Sequence, residues 1–388
     1  METPQRLYHI DWIRILAFLL LIMFHASLPF TVFPWEVKDQ DQSAALSSVI
    51  WWLHQWRLPL LFFISGAGIH FSLQRRTMVR FLGERMARLF LPLLFAMFFT
   101  IPVQVYVEFL QKGRFEGSYL DFYPAVWKMV PYPDGALTWS HMWFVVYLIA
   151  FLLLLSPIWV FFRWKRMQPV KAMISSFLTR PLCTAAMVLP LFFLQYTFSL
   201  RYPETGSLIG DWFVFFFSMT VLLYGYFLGG NPRFWQFCES QRRNLLLISI
   251  TVTAALFAGY WWPLRLPEQQ DERFLLYCAL NAVCIWSTIL SVCGFAAKYL
   301  NRDSRLRRYL NEAVFPFYII HQTVIVAIGY GIVQTGLPAW IKLPALATLS
   351  FAVILVLYHG IIRRTSITRL LFGMKQRAQV QQNDRPAR

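Results

Sequence analysis

Ten stretches of mostly apolar residues, each close to the length that crosses a lipid bilayer, dominate this 388-residue chain. A transmembrane helix needs about 20 such residues, because each residue advances the helix by about 1.5 Å. Only 14% of the residues are charged, well below the share of about 25% in soluble domains. We therefore predict an all-α polytopic membrane bundle of about ten transmembrane helices, with spans near 10–33, 47–73, 89–110, 142–162, 180–200, 212–229, 244–263, 274–297, 312–334 and 343–362.

The lysines and arginines are distributed unequally between the two sides of these spans. When successive connections are assigned alternately, one side receives 26 basic residues and the other receives 8. Basic residues accumulate on the cytoplasmic side of membrane proteins, so both termini are predicted to be cytoplasmic. The net charge of +17 is then explained by topology and by anionic membrane lipid as a partner, and nucleic acid is excluded as a partner.

Composition also predicts the domain limits and the absence of a metal site. Residues 1–372 are expected to form the membrane bundle, and the polar segment 373–388 a disordered cytoplasmic tail. The first apolar stretch is expected to be a retained span, since no small-residue cleavage site follows it. The five cysteines lack the spacing of metal ligands, so no metal is expected. The sequence gives no prediction of oligomeric state.

The first span carries three ionisable residues, Asp11, Arg14 and His25. Such residues are costly within a membrane and usually mark a functional path that faces the protein interior. Asp11 and Arg14 share a helix face near the cytoplasmic end, where an interfacial cap and anchor would also explain them. His25 returns to nearly the same face, at a distance of roughly 21 Å from Asp11 along the helix. The three residues therefore mark a line that runs inward from the cytosol.

Other spans carry isolated polar residues. Arg57 lies at a depth similar to that of His25 by residue count, so the two could line one cavity. Ser65 begins the stretch "SGAG", whose small residues would permit close helix packing or leave room for a narrow substrate chain. His321 can equally be a packing residue. The arginines between residues 75 and 88 could bind phosphates or could simply set the topology.

Several motifs occur in an order that resembles a known family. Arg6, Asp11, Arg14 and His25 form an R-x4-D-x2-R-x10-H pattern, and "RLPLLFFISGAG", "RMARLFLP", "HMWFVVYL" and "FPFYIIHQ" follow it. Together, over roughly residues 6–362, they resemble the acyltransferase-3 family of integral membrane acyltransferases, in particular a branch that modifies periplasmic glucans. The resemblance implies a ten-helix protein of the bacterial inner membrane. It also implies transfer of an acyl group from cytosolic acyl-CoA (acetyl-CoA or succinyl-CoA) to a carbohydrate hydroxyl at the outer face.

The resemblance also implies roles for individual residues. It makes His25 the catalytic histidine, and it gives Arg14 a donor-binding or active-site role. Arg75 and Arg76 match the basic residues that follow the Ser-Gly motif, with the family's arginine left open between them, and Arg85 and Arg88 match the Arg-x2-Arg before Leu and Pro. At the cytoplasmic mouth these four arginines are expected to meet the phosphates of the donor. On the acceptor side the matching residues are His141 and Trp143.

The remaining intramembrane polar residues are expected to contact substrate: Asp11, Arg57, Ser65 and His321. Arg57 could stabilise the oxyanion of a tetrahedral intermediate. His25 could act as a general base, or it could carry the acyl group itself, and the sequence leaves both routes open. Two other classes of function remain: a transporter or flippase for a lipid-linked sugar, and a sensor or scaffold that binds no CoA.

Overall fold

A computed structural model describes residues 7–74, 76–262 and 264–375. These residues form sixteen α-helices and no β-strand. The helices are α1 Tyr8–Ser27, α2 Ala44–Gln74, α3 Met78–Phe95, α4 Ile101–Gln111, α5 Tyr119–Phe122, α6 Trp143–Leu154, α7 Ser156–Phe161, α8 Gln168–Leu178, α9 Pro181–Ala186, α10 Val188–Phe198, α11 Trp212–Leu228, α12 Pro232–Leu256, α13 Glu272–Tyr299, α14 Arg305–Val333, α15 Ala339–Leu357 and α16 Ser366–Leu371.

Eight helical segments within the described residues are long and apolar enough to cross a membrane. They are Tyr8–Phe30, Ala44–Gln74, Met78–Gln111, Pro181–Phe198, Pro232–Trp261, Glu272–Tyr299, Arg305–Val333 and Ala339–Ile362. Two shorter apolar helices, Ser140–Leu154 and Trp212–Leu228, coincide with the other two predicted spans. The predicted all-α polytopic membrane architecture is confirmed, whereas the count of ten spans and the cytoplasmic position of both termini stay predictions.

The chain divides into two compact units. Unit 1 comprises residues 1–17, 48–82 and 150–308, and unit 2 comprises residues 18–47, 83–149 and 309–388. The predicted membrane region, 1–372, contains unit 1 and all but the last residues of unit 2, and its limit at residue 372 stays a prediction. Most of the predicted tail, residues 376–388, lies outside the described residues, and Met374 at its start is buried.

Helix packing in unit 1 depends on glycine. A Cβ atom at Gly66 would overlap the Leu222 carbonyl, and one at Gly225 would overlap the Phe63 carbonyl. Glycine lets two helix backbones approach this closely, so α2 and α11 pack backbone to backbone along this seam. Close helix packing therefore accounts for the glycine at position 66.

A π-helical turn, Ala96–Thr100, joins α3 to α4 in unit 2. Pro102 follows at the start of α4 and has no N–H to offer the carbonyl four residues earlier. That carbonyl, Phe98 O, instead accepts a hydrogen bond from the Tyr123 hydroxyl at 3.1 Å. The neighbouring Thr100 carbonyl accepts one from Thr323 Oγ1 at 3.0 Å. The irregular turn is therefore hydrogen-bonded to α14, the helix that carries His321.

Candidate active site

His25 lies near the C-terminal end of α1, in unit 2, with only 9% of its surface exposed. Its Nδ1 atom is 3.1 Å from the Leu21 carbonyl, one helical turn earlier. The Trp35 ring, from the loop that follows α1, stacks on the imidazole with a centroid distance of 5.2 Å. One ring nitrogen and one ring face are therefore held in place by the protein.

His321 of α14 is fully buried and contacts His25 directly. Its Nε2 atom is 3.0 Å from His25 Nδ1, and its Nδ1 atom is 2.6 Å from the Tyr318 carbonyl. A carbonyl only accepts, so His321 Nδ1 carries the proton, and in the neutral ring Nε2 accepts from His25 Nδ1. His25 Nδ1–H is then shared between His321 and Leu21. The hydrogen-bond network thus assigns the lone pair of His25 to Nε2, the nitrogen that a base or a nucleophile uses.

His141 lies in a 3₁₀ turn, Ser140–Met142, and both its nitrogens have partners within unit 2. Nε2 donates to the Ile319 carbonyl at 3.1 Å, and Nδ1 accepts from Gln104 Nε2 at 3.3 Å. The ring packs edge-on against His321, with centroids 5.1 Å apart. The Tyr318 hydroxyl donates to the His141 carbonyl at 2.6 Å. These contacts hold α14 and the His141 turn together beside His25.

A chain of neutral polar side chains continues from His141. Gln104 donates to Thr323 Oγ1 at 2.7 Å and accepts from Ser140 Oγ at 3.0 Å. Gln322 Nε2 lies 3.3 Å from Ser140 Oγ and donates to Glu36 Oε1 at 2.6 Å. The chain therefore ends at a carboxyl group in the loop after α1, directly next to Trp35.

Glu36 was not predicted from the sequence. Burial, together with the nearby charge of Glu108, raises the pKa of Glu36 to about 7, although the hydrogen bond from Gln322 opposes the shift. Its Oε2 atom and Gln322 Oε1 are buried, and neither receives a hydrogen bond from any described residue. Two hydrogen-bond acceptors therefore lie side by side near the His25 site. The sequence offers one hint, since Gln322 directly follows His321 in the quoted "FPFYIIHQ".

Asp11 lies in unit 1, within an ionic cluster that the sequence did not predict. Arg307 is only 1% exposed and pairs with both Asp11 and Asp303. Arg14 Nη1 lies 3.8 Å from the Asp11 carboxylate. Two cations therefore share the Asp11 charge, so this cluster holds the N-terminal turn of α1 against the start of α14 within unit 1.

Arg57 and Ser65, the other residues predicted from α2, also lie in unit 1. Arg57 is 1% exposed, and its charge lies close to Glu204, which pairs with His54 at 2.8 Å. The Ser65 hydroxyl donates to the Leu61 carbonyl of its own helix at 2.8 Å. The predicted cavity shared by Arg57 and His25 stays a prediction.

The predicted phosphate-binding arginines are divided between the two units. Arg75 lies outside the described residues, and the carbonyl of Arg76, in unit 1, accepts a hydrogen bond from Arg163. In unit 2, Arg85 is half-buried, and Arg88 is exposed and donates to the Gly373 carbonyl at 3.3 Å. Trp143 begins α6 and packs edge-on against Tyr147. Within residues 7–74, 76–262 and 264–375 no cluster of His, Cys, Asp and Glu could hold a metal ion.

The histidine site is therefore built from residues of α1, of α14 and of the His141 turn that all lie within unit 2. In this site the His25 imidazole, with its lone pair on Nε2, lies beside the hydrogen-bonded chain of Gln104, Thr323, Ser140 and Gln322. Such a site can remove a proton from a hydroxyl group, or it can attack an activated carbonyl.

Comparison with known proteins agrees with this chemistry. A family model described as an acyltransferase domain matches residues 7–359. The chain is 24% identical to Glucans biosynthesis protein C of an Escherichia coli strain, over 99% of this chain and 98% of that protein. The proteins of the same name in strains HS and SMS-3-5 match at 28% identity over 165 residues, 41% of this chain and 40% of each relative. No solved structure matches the chain significantly.

The family match covers nearly the whole chain, and it confirms the resemblance read from the sequence motifs. It also confirms that the protein is an acyltransferase of groups other than amino-acyl groups. The apolar helices agree with a multi-pass membrane protein. The chain belongs to the acyltransferase-3 family of membrane acyltransferases.

Proposed function

We propose that this protein transfers an acyl group, acetyl or succinyl in class, from cytosolic acyl-CoA to a hydroxyl group of a cell-envelope carbohydrate. The acceptor is a glucan or a related polysaccharide at the outer face of the bacterial inner membrane. The observation that carries the proposal is the hydrogen bond between His25 Nδ1 and His321 Nε2, because it places the lone pair of the buried imidazole on Nε2. The similarity to Glucans biosynthesis protein C supports a glucan as the acceptor.

His25 acts as the general base in this mechanism. Its Nε2 atom takes the proton of the acceptor hydroxyl while the oxygen attacks the carbonyl carbon of the thioester. The C–O bond forms, the C–S bond breaks, and the proton passes from the imidazolium to the departing thiolate, which leaves as free CoA. The acyl-histidine route uses the same lone pair in two steps, and detection of a covalent acyl-enzyme would identify it.

His321 acts as a positioning residue. Its Nδ1 proton is directed to the Tyr318 carbonyl at 2.6 Å, so its Nε2 atom accepts from His25 throughout the reaction. That hydrogen bond becomes charge-assisted when His25 takes up a proton, and it then stabilises the imidazolium more strongly than the neutral ring. The stabilisation therefore favours the transition state over the ground state.

Glu36 and Gln322 bind the acceptor in this proposal. Their buried oxygens, Glu36 Oε2 and Gln322 Oε1, can each accept a hydrogen bond, and carbohydrate hydroxyls are donors. Trp35 directly precedes Glu36 in the sequence, and its ring stacks on the His25 imidazole. The apolar face of such a ring can pack on a sugar. On the donor side, Arg14 and the arginines of the 75–88 segment bind the phosphates and the pantetheine arm of acyl-CoA.

Mass spectrometry of cell-envelope glycans provides the direct test. Cells that carry the wild-type protein should contain acylated glycans, and cells without the protein or with His25→Ala should not. His359→Ala is the matched control, since His359 is an exposed histidine near the end of the last span, and it should leave acylation unchanged. Equal acylation in all four strains contradicts the proposal. Acylation that persists with His25→Ala while acceptor translocation stops would instead indicate a transporter.

A further inference from the structure

Unit 1 contains a cavity of about 570 Å³ that none of the roles assigned so far uses. Four segments form it: the end of α2, the turn after α7, α8, and the end of α11 with the residues that follow it. Its lining includes His70, Arg163, Lys171, Ser175 and Asn231. The volume lies within the range of small-molecule binding sites, which is roughly 300–1,000 Å³. The sequence prediction places the ends of these segments on the cytoplasmic side.

The cavity is cationic. Arg163 and Lys171 line it, and none of the described residues that line it carries a carboxylate. Neither cation forms an ion pair with an acidic residue in the described parts of the chain. Lys171 Nζ instead lies over the Tyr226 ring, 4.4 Å from its centroid. Two positive charges therefore face a partly enclosed space, and no acidic residue of the described parts of the chain pairs with them.

The neutral polar groups of the cavity are fixed by hydrogen bonds. His70 Nδ1 donates to the Tyr226 carbonyl at 3.0 Å, so its Nε2 atom accepts from Gln74 at 2.9 Å and the ring is neutral. Ser175 donates to the Phe227 carbonyl and accepts from Asn231 Nδ2 at 2.9 Å. None of these groups neutralises the two cations. They form a rigid wall around them.

Lys171 also differs from a lysine that only sets membrane topology. Such a lysine extends its amine into water or among lipid headgroups. Lys171 is half-buried, and burial lowers its pKa to about 8. A bound anion would offset this cost, because an opposite charge within a few ångströms favours the protonated amine.

We propose that this cavity binds a phosphate ester. Arginine matches the geometry of phosphate oxygens with its planar fork, lysine adds a point charge, and the absence of carboxylates removes repulsion. Two sources share this chemistry: the phosphates of acyl-CoA and the headgroup of an anionic lipid. With acyl-CoA as the source, the inference rests on the proposed donor and places part of its nucleotide at Arg163 and Lys171. Arg76 lies next to this site, because its carbonyl accepts from Arg163.

The test measures ligand binding to the full-length protein in lipid nanodiscs at low salt. The variants are Lys171→Gln, Arg163→Gln and the charge-conserving Lys171→Arg. Lys165→Gln is the matched control, because it removes the same charge from the same connection, at an exposed residue outside the cavity. The probes are coenzyme A, followed by calorimetry, and phosphatidylglycerol, followed by its retention in native mass spectrometry.

We expect Lys171→Gln and Arg163→Gln each to weaken binding of one probe about tenfold or more, the usual effect of losing one charge-assisted hydrogen bond. Lys171→Arg and Lys165→Gln should stay within about twofold of the wild type. Weaker binding of coenzyme A supports the inference with the donor as the source. Loss of phosphatidylglycerol with unchanged coenzyme A binding supports it with a lipid as the source.

Unchanged binding of both probes in Lys171→Gln and Arg163→Gln would overturn the inference, even if the wild-type protein transfers acyl groups. In contrast, a wild-type protein that binds no coenzyme A and transfers no acyl group contradicts the proposed function. In that case a loss of phosphatidylglycerol from Lys171→Gln would still support the cavity as a phosphate site.

Discussion

The histidine site of unit 2 and the cationic cavity of unit 1 differ in how far the protein satisfies its own polar groups. Both nitrogens of His141 and His321 have partners, and His25 is fixed by stacking and hydrogen bonding. In the cavity, Arg163 and Lys171 have no acidic partner in the described parts of the chain. The first region has the fixed geometry that the proposed proton transfer requires, and the second has the charge that the proposed ligand requires.

The two regions should respond differently to substitution. Groups that orient a reacting atom act mainly in the transition state, so their loss lowers kcat. Groups that hold a non-reacting part of a substrate act mainly through KM. Substitutions in the two regions should therefore have different kinetic effects, on kcat in the histidine site and on KM in the cationic cavity.

The largest effect is expected for His25→Ala in the purified enzyme. General-base catalysis typically contributes about 10²- to 10⁴-fold, so kcat should fall by at least about 100-fold. Binding of coenzyme A should remain within about twofold, because the substitution leaves Arg163 and Lys171 in place. A loss of kcat below about tenfold, in a variant of normal yield and thermal stability, would remove His25 from the catalytic role.

His321 is expected to give the next largest effect. His321→Ala removes the acceptor for His25 Nδ1–H, and hydrogen bonds to charged groups are worth about 1.5–3 kcal/mol, so kcat should fall about 10- to 100-fold. KM for acyl-CoA should not change. His321→Gln is the conservative variant, since its amide oxygen can still accept, and it should recover part of the activity.

An equal fall of kcat in His321→Ala and His321→Gln would indicate a packing role for His321. A fall in protein yield without a fall in kcat would indicate the same. That result would also weaken the tautomer assigned to His25, because the assignment depends on the hydrogen bond between the two rings.

The sequence predicted the architecture well because hydropathy is a local property. Each predicted span contains an apolar helix, and the fourth and sixth differ only in that their helices are shorter than the others. It also identified His25 and His321 as buried polar residues worth attention. It could not pair them, since the two are 296 residues apart and only the packing of α1 against α14 brings them together.

Two further features escaped prediction for related reasons. Asp11 pairs with Arg307, which the sequence shows only as one of many basic residues that set the membrane topology. The pair could not be predicted, because it depends on tertiary structure. Glu36 lies in a connecting loop, where an acidic residue is usually exposed, and only burial of the loop shows its altered environment. A sequence shows that a charge is present, but not what surrounds it.

Glu36 gives a third test, because the proposed function places it as an acceptor-binding group beside His25. Glu36→Gln should raise KM for the acceptor by about tenfold and leave KM for acyl-CoA unchanged. The matched control is Glu116→Gln, an exposed acid in the connection between α4 and α5. An effect on the donor instead of the acceptor would move Glu36 out of the acceptor site.

The pH dependence of acceptor binding should follow the same group. The pKa of Glu36 is raised to about 7, so the carboxyl is neutral below this pH and ionised above it. A carboxylate accepts hydrogen bonds from hydroxyls more strongly than a carboxylic acid does, so acceptor KM should fall as pH rises through about 7. Gln322 donates a hydrogen bond to Glu36, and the charges of Glu108 and Lys112 act on its carboxyl group. All three residues are unchanged in Glu36→Gln, so the acceptor KM of this variant should not vary with pH across this range.

The smallest effect is expected for the pH dependence of ligand binding in the cationic cavity. Burial lowers the pKa of Lys171 to about 8, and only the protonated amine attracts a phosphate, so affinity for coenzyme A should decrease as pH rises above about 8. The other ionisable residues that line the cavity around Lys171 are Arg163, His70 and Tyr226. Arginine side chains are protonated over the whole pH range of proteins, and hydrogen bonds hold the His70 ring neutral, so the proposed titration belongs to Lys171.

Lys171→Arg separates this titration from any general effect of pH on the protein. Arginine stays protonated throughout the range, so its affinity for coenzyme A should be constant between pH 7 and about 9.5. Calorimetry of the two proteins at several pH values measures the difference. The wild-type decline should approach several-fold, and it is limited because the bound phosphate itself raises the pKa of the lysine. A wild-type curve as flat as that of Lys171→Arg would mean that Lys171 does not contact the phosphate, and the contrast between the two regions would then rest on Arg163 alone.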